Sequence, residues 1–231
     1  MIVPMFPLQS ALLPGETLPL RIFEPRYTRL VQDCLAAATP EFGVVLISRG
    51  SEVGGDDVRH DVGALARITH HVDLGGGQYE LLAQVGDRLR VRSWLPDQPY
   101  PRAMVEMWPD ELVLGPDEPG LGPDEPGLGP DEPGLDDRIA EVVDAIVGLY
   151  QRIARASGAQ LRPDALAVDP ATADDPVRHL YALAARVPMG QADRYAVLTA
   201  PTLTARVDVL LDAIATVTAM VDFQLSADDG Q

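Results

Sequence analysis

The side chains able to do chemistry in this 231-residue chain are few and rarely come together. Its 18 lysine-plus-arginine positions are all arginine, which excludes a Schiff base, a lysine general base, a phosphate-loop lysine and a serine–lysine dyad from these residues. His70 and His71, with Asp73 two residues on and His60 upstream, are the candidates for metal binding. Adjacent residues of a strand point to opposite faces, so the pair cannot hold one ion without distortion, and no metal site is expected. Asp56, Asp57, His60 and Asp61 could exchange protons, but their Gly-rich loop offers no third group to orient them, and the expectation is a solvated loop. Gly75-Gly76-Gly77 lacks the strand-then-helix setting of a dinucleotide site and reads as a hairpin turn. Ser51, Ser93 and Ser157 have no nucleophile-elbow context. Arg88, Arg90 and Arg92 share a strand face that could grip a carboxylate or phosphate, yet among 35 acidic residues internal ion pairing is the expectation. Cys34, the single cysteine, falls on an apolar helical stripe and reads as a small buried hydrophobe in a reducing compartment. No catalytic residue and no cofactor is expected.

The formal charge of −17 repels phosphate backbones, which argues against a nucleic-acid partner. No unbroken run approaches the roughly 18 to 20 apolar residues of a membrane span, and Met1 leads into Ile2-Val3 with no basic stretch. A soluble, cytoplasmic protein with no membrane partner is the expectation.

The elements that must position these groups fall into two halves. Residues 2 to 8 read as a strand that its prolines confine to an edge or end. Leu18, Leu20 and Ile22 alternate as a strand, then Tyr27, Leu30, Val31, Cys34, Leu35 and Ala38 recur at helical spacing, with Glu24 at the N-cap and Pro25 at the first helical position. Residues 43 to 48 form a continuous apolar run of strand length. Val62, Ala64, Ala66, Ile68, Val72 and Leu74 keep one parity, predicting one long half-buried strand. The returning strand carries Tyr79, Leu81, Ala83 and Val85, is interrupted at Gly86-Asp87 by a bulge or bend, and resumes at Leu89 and Val91. Residues 101 to 108 supply one more strand. Residues 115–135 are three copies of Gly-Pro-Asp-Glu-Pro-Gly-Leu, whose prolines and glycines exclude a coiled coil and predict an acidic extended linker. Beyond it, Ile139, Val142, Val143, Ile146, Tyr150 and Ile153 form a helical stripe that Asp136 can cap and Gly158 can end. Asp175-Pro176 starts a second helix, residues 192 to 198 a short third, and Thr202 a long last one with Leu203, Val207, Leu210, Leu211, Ile214, Val217 and Val221 inward. The predicted organisation is a β subdomain over 1–114, a linker over 115–135 and a helical subdomain over 136–231.

The string LPLRIFEPRY at residues 18 to 27, with Val3-Pro4-Met5-Phe6-Pro7-Leu8 and Leu13-Pro14-Gly15 before it, resembles the opening of the N-terminal substrate-binding domain of Lon-type ATP-dependent proteases. The closest form of the resemblance is to the short bacterial proteins that carry this domain alone. It continues through residues 63 to 68, Arg88-Leu89-Arg90-Val91, Pro99-Tyr100-Pro101, Asp174-Asp175-Pro176 and Gln191-Ala192-Asp193-Arg194. It leaves out the repeats and the last ten or so residues.

Short strands with one early helix argue for a compact antiparallel barrel or half-barrel. The resemblance implies the same: an α+β fold in which a PUA-like antiparallel β pseudobarrel with one early helix precedes a C-terminal α-helical bundle. It also implies a non-enzymatic module that binds peptides or unfolded segments of other proteins, with contacts at Arg21, Phe23, Glu24, Arg26 and Tyr27. A structural role for these five, Arg21 or Arg26 paired with Glu24 and the rings packed inside, stays open. So do two other functions: a regulatory adaptor that docks onto a protease or chaperone, and an enzyme or small-ligand binder with a site in the barrel–helix cleft.

Overall fold

The computed structural model of the chain describes residues 1–50, 58–110, 134–157 and 175–228. Asp56, Asp57, Gly158 and the repeats up to residue 133 lie outside the described residues. The chain divides into two compact units, Met1–Pro109 and Asp110–Gln231.

The first unit holds β1 (Ile2–Leu8), β2 (Thr17–Ile22), α1 (Pro25–Ala36), β3 (Glu41–Arg49), β4 (Val58–Gly75), β5 (Gln78–Leu95) and β6 (Arg102–Met107). The strands form one sheet in the order β2-β5-β4-β3-β1-β6, and the second half of β5 also pairs with β6. This corrects the expected PUA-like antiparallel pseudobarrel. The β1–β3 pairing is parallel, so the sheet is mixed, and β2 is an outer strand bonded to β5 only, so it is not a closed antiparallel barrel. The physical reason is the long connection from β1 through β2 and α1, which brings β3 back in the direction of β1; two-residue periodicity carries no information about strand direction.

Two cores form. One gathers Phe6, Leu18, Ile22, Tyr27, Leu30, Val31, Phe42 and the odd-numbered residues Tyr79 to Val85. The other gathers Val3, Met5, Val45, Leu89, Val91, Ala103 and Val105. The predicted interruption of β5 joins them: Ala64 pairs with Arg88 and Ala66 with Val85, so β5 carries one extra residue at Gly86-Asp87, and Leu89 passes to the second core. Gly63 is required where β4 crosses β3, because a Cβ there would stand 2.0 Å from the Val44 carbonyl oxygen. Glu24 occupies the N-cap position of α1 in extended backbone and Pro25 begins the helix, as predicted; the Glu24 carboxylate caps no amide and instead accepts from Arg26 Nε at 3.2 Å.

The second unit contains α2 (Leu135–Ala156), α3 (Pro176–Ala184), α4 (Gln191–Thr199) and α5 (Leu203–Asp228). Arg138 pairs with Asp208 at 2.6 Å and Arg152 with Asp222 at 2.7 Å. Both partners advance by fourteen residues between the pairs, so α2 and α5 run parallel. Leu135, Ile139, Val142, Ile146 and Leu149 of α2 are buried, as are Val207, Leu210, Ile214 and Val217 of α5. Leu149, rather than the expected Tyr150, lies fully inside; the Tyr150 hydroxyl reaches the Arg186 carbonyl at 2.6 Å. The N-cap of α2 is Gly134, at φ +98°, and not Asp136. Asp175 caps α3 as predicted, its carboxylate accepting from the amides of Val177 and Arg178.

Arg206, fully buried on α5, donates to Asp110 and to the Val197 carbonyl at 3.3 Å, while its guanidinium lies 4.3 Å over the Tyr181 ring. The Tyr181 hydroxyl donates to the other Asp110 oxygen at 2.8 Å. Among the described residues one helix, Leu203–Ser226, is long and apolar enough by length and composition to cross a membrane, with mean hydropathy 1.4. The expectation that no segment approaches that criterion counted only unbroken runs. Here scattered charges at Arg206, Asp208, Asp212 and Asp222 interrupt a segment whose average is still high.

Candidate functional site

In the first unit the register of the strands, together with one irregularity, builds an exposed face. Ile68 pairs with Ala83, but His70 pairs with Leu82, so Thr69 is an extra residue in β4. Its hydroxyl donates to the Leu82 carbonyl at 3.0 Å. An inserted residue inverts the facing of everything after it. Val72, which shares the parity of the buried Ala64, Ala66 and Ile68, is thereby turned outward and is 43% exposed; Leu74, the extra residue of a further shift between Asp73 and Gly75, is 46% exposed.

Beyond the bulge, cross-strand partners line up in rows. Pro19, Leu82 and His70 stand opposite one another, as do Arg21, Glu80 and Val72. All six are exposed. Partners in register lie on one face of a sheet, close enough to act together. Phe23, which directly follows the end of β2 at Ile22, is 59% exposed, and Leu82 is 40% exposed. The result is an apolar surface of Pro19, Phe23, Val72, Leu74 and Leu82, with one cation and one anion set into it, along an open sheet edge. Isolated exposed apolar residues are ordinary; several on adjoining strands mark a contact surface.

Of the five candidate contact residues, Arg21 and Phe23 are on this face. Glu24 and Arg26 are half-buried and paired with each other. Tyr27 is inside, stacked on Phe6 at a centroid separation of 4.1 Å beneath the Arg26 guanidinium at 4.5 Å. Sequence reasoning missed Val72, Leu74 and Leu82. The available signal was the polar run Thr69-His70-His71, which breaks the apolar alternation where the bulge occurs.

The other candidates disperse. Three or more potential metal ligands come together nowhere among the described residues. Arg92 pairs with Glu106, while Arg88 and Arg90 lie 4.0 and 3.9 Å from the Trp108 ring, Arg88 fully buried. The expected ion pairing thus describes Arg92, whereas indole stacking, available to guanidinium groups, engages the other two. A shallow cleft of about 450 Å³ is lined by Arg59, Asp61, Trp94 and Asp97. Its cation is already held: Arg59 makes two bonds to Asp97, at 3.1 and 2.7 Å, and lies 4.8 Å over Trp94. Cys34 is buried and its thiol contacts the Glu41 carbonyl at 3.3 Å; burial, and then the Asp33 charge, push its pKa up to about 12. Tyr100 donates to Asp33 at 2.8 Å, and burial followed by that bond raises its pKa to about 12.

What the described residues assemble is a set of exposed apolar side chains on a folded sheet. The chain belongs to a family defined by the same type of module: the model of the ATP-dependent protease La (LON) substrate-binding domain matches residues 2–216. Over 114 residues it is 33% identical to Lon protease 2 of Sorangium cellulosum, covering 48% of this chain and 14% of that one. It is 31% identical over 114 residues to the Lon protease of Roseiflexus castenholzii, covering 49% of this chain and 14% of that one. The matches therefore span about one-seventh of the length of these relatives. Among solved structures, the Lon N-terminal domain protein from Xanthomonas campestris superimposes with a TM-score of 0.59 at 25% identity, covering 92% of this chain and 98% of that one. The N-terminal domain of the Mycobacterium avium complex Lon protease gives 0.57 at 15% identity, over 93% and 98%, a likeness of fold. The family match is to the substrate-binding domain alone. Within these 231 residues there is no ATPase or peptidase domain, and the lysine that a phosphate loop or a serine–lysine peptidase needs is absent.

Proposed function

We propose that this chain captures exposed apolar or unfolded segments of other proteins on the outer face of β2, β5 and β4, in the cytoplasm, without chemistry of its own. The observation that carries the reading is the coincidence of an open strand edge with five apolar side chains displayed beside it. An extended segment laid along β2 gains main-chain hydrogen bonds from the edge and places alternate side chains on the sheet face. Pro19 removes one donor from that edge, so side-chain contacts with Phe23, Leu82 and Val72 supply much of the affinity. Arg21 offers a charge-assisted bond to a carboxylate in the segment.

The test is titration of the full chain with fluorescently labelled lysozyme kept unfolded by reduction and carboxamidomethylation, at salt high enough to screen the net charge. Saturable binding in the tens of micromolar is expected, weakened at least tenfold by Phe23→Asp with Leu82→Asp. Both side chains are exposed, so the fold survives the change. Absence of saturable binding by the unaltered chain, or binding indifferent to the double variant, refutes the proposal.

A further inference from the structure

The capture face depends on a hairpin whose tip has little stiffness of its own. Gly75, Gly76 and Gly77 all have positive φ, at 79°, 62° and 80°, a backbone region that glycine enters freely and other residues rarely adopt. Such a tip would let the outer ends of β4 and β5 swing, carrying Val72 and Leu74 with them. Within the hairpin, the Asp73 carboxylate accepts from the Gly75 amide at 2.8 Å. Among the described residues, the side-chain bond that reaches the tip from outside comes from the first turn of α1, where the Thr28 hydroxyl donates to the Gly77 carbonyl. Helix and tip also lie close together, since a Cβ added to Gly77 would meet Thr28 Cγ2 at 3.4 Å. Thr28 is itself fixed, because its amide donates to the Glu24 carbonyl at 2.9 Å. Phe23 directly precedes that capping residue. The β2–β5 ladder ends at the Ile22–Tyr79 pair, and beyond it the Thr28 hydroxyl adds a side-chain bond between the start of α1, just after Phe23, and the tip of the hairpin carrying Val72, Leu74 and Leu82.

We propose that Thr28 is a positioning residue for the capture face: its hydroxyl latches the glycine tip to α1 and sets the spacing between Phe23 and the apolar side chains of the hairpin. This rests on the binding function proposed above. Thr28 touches no captured segment; it preorganises the surface, and a surface that must be ordered on binding binds more weakly.

Thr28→Val keeps the β-branched shape and the contact to Gly77 but removes the donor, and Thr28→Ser keeps the donor. With the same unfolded lysozyme as probe, Thr28→Val is expected to weaken binding about fivefold, the scale of one hydrogen bond, and Thr28→Ser to stay within about twofold of the unaltered chain. The urea midpoint should fall in the valine variant by no more than the value of that one hydrogen bond and stay unchanged in the serine variant. Amide exchange at Gly77, Gln78 and Tyr79 should quicken in the valine variant alone. Unchanged binding by Thr28→Val overturns the latch and leaves the capture function standing. A loss of binding that serine does not restore, or one accompanied by a fall of the urea midpoint larger than one hydrogen bond accounts for, also overturns it. No binding by the unaltered chain refutes the capture function and the latch with it.

Discussion

In the sheet unit, arginine guanidinium groups lie over aromatic rings: Arg26 over Tyr27, Arg59 over Trp94, and Arg88 with Arg90 over Trp108. In the helical unit, Arg206 lies on Tyr181 too, but fully buried and bonded to the Asp110 carboxylate. The charge balance differs as well. Positions 1–109 hold 10 arginines and 13 acidic residues, a difference of −3, whereas positions 110–231 hold 8 and 22, a difference of −14. A nearly balanced surface repels few partners, which suits the unit that displays Phe23, Val72, Leu74 and Leu82. A strongly acidic one keeps a chain with exposed apolar residues dispersed. The contrast places the exposed apolar side chains in the nearly balanced unit and most of the net negative charge in the other.

The contrast can be broken or sharpened unit by unit, because both tryptophans, Trp94 and Trp108, lie in the sheet unit. Their fluorescence reports that unit, while ellipticity at 222 nm reports mainly helices. The largest effect is expected from Arg206→Ala, which leaves the Asp110 carboxylate without its cation and should cost about 3 to 5 kcal/mol. The ellipticity midpoint in urea should fall and the fluorescence midpoint hold; an equal fall in both means that the units melt as one. Gly63→Ala should act in reverse. A methyl group against the Val44 carbonyl forces two strands apart at a cost of about 3 kcal/mol, and the fluorescence midpoint should move first.

A smaller effect should appear in alkali. Cys34 and Tyr100 both have folded pKa values raised to about 12, from 9.0 and 10.0. The folded state therefore holds protons that the unfolded chain releases. That contribution is complete below pH 9 and is lost as pH rises toward 12, by about tenfold in the folding constant per pH unit for each group. Urea midpoints between pH 8 and 11 should fall accordingly, and Cys34→Ala should flatten the decline. A slope unchanged by that substitution removes the thiol from the account.

Much of this molecule is legible in its residues, for reasons that can be named. Asp175-Pro176 announces a helix start because both residues act locally, through a cap and a preset φ. Gly86-Asp87 announces a bulge in the same way. Glu24 stands where a cap belongs, but the nearby Arg26 guanidinium competes for its carboxylate. What escapes local reading is long-range. The parallel pairing of β1 with β3 depends on a path through β2 and α1, and the burial of Arg88 depends on where Trp108 arrives. For the candidate site, Arg21 and Phe23 are found from the motif at residues 18 to 27. Val72, Leu74 and Leu82 are not, because their display depends on a register shift that parity alone conceals.

That shift at Thr69 has a consequence for how such chains diverge. Gaining or losing one residue between Ile68 and Val72 exchanges the inner and outer faces of the hairpin arm, while gaining or losing two restores them. Two relatives can therefore share the same apolar alternation here, letter for letter, and present opposite sides of it to the solvent. Over this arm, the count of residues decides which side chains face outward as much as their kind does.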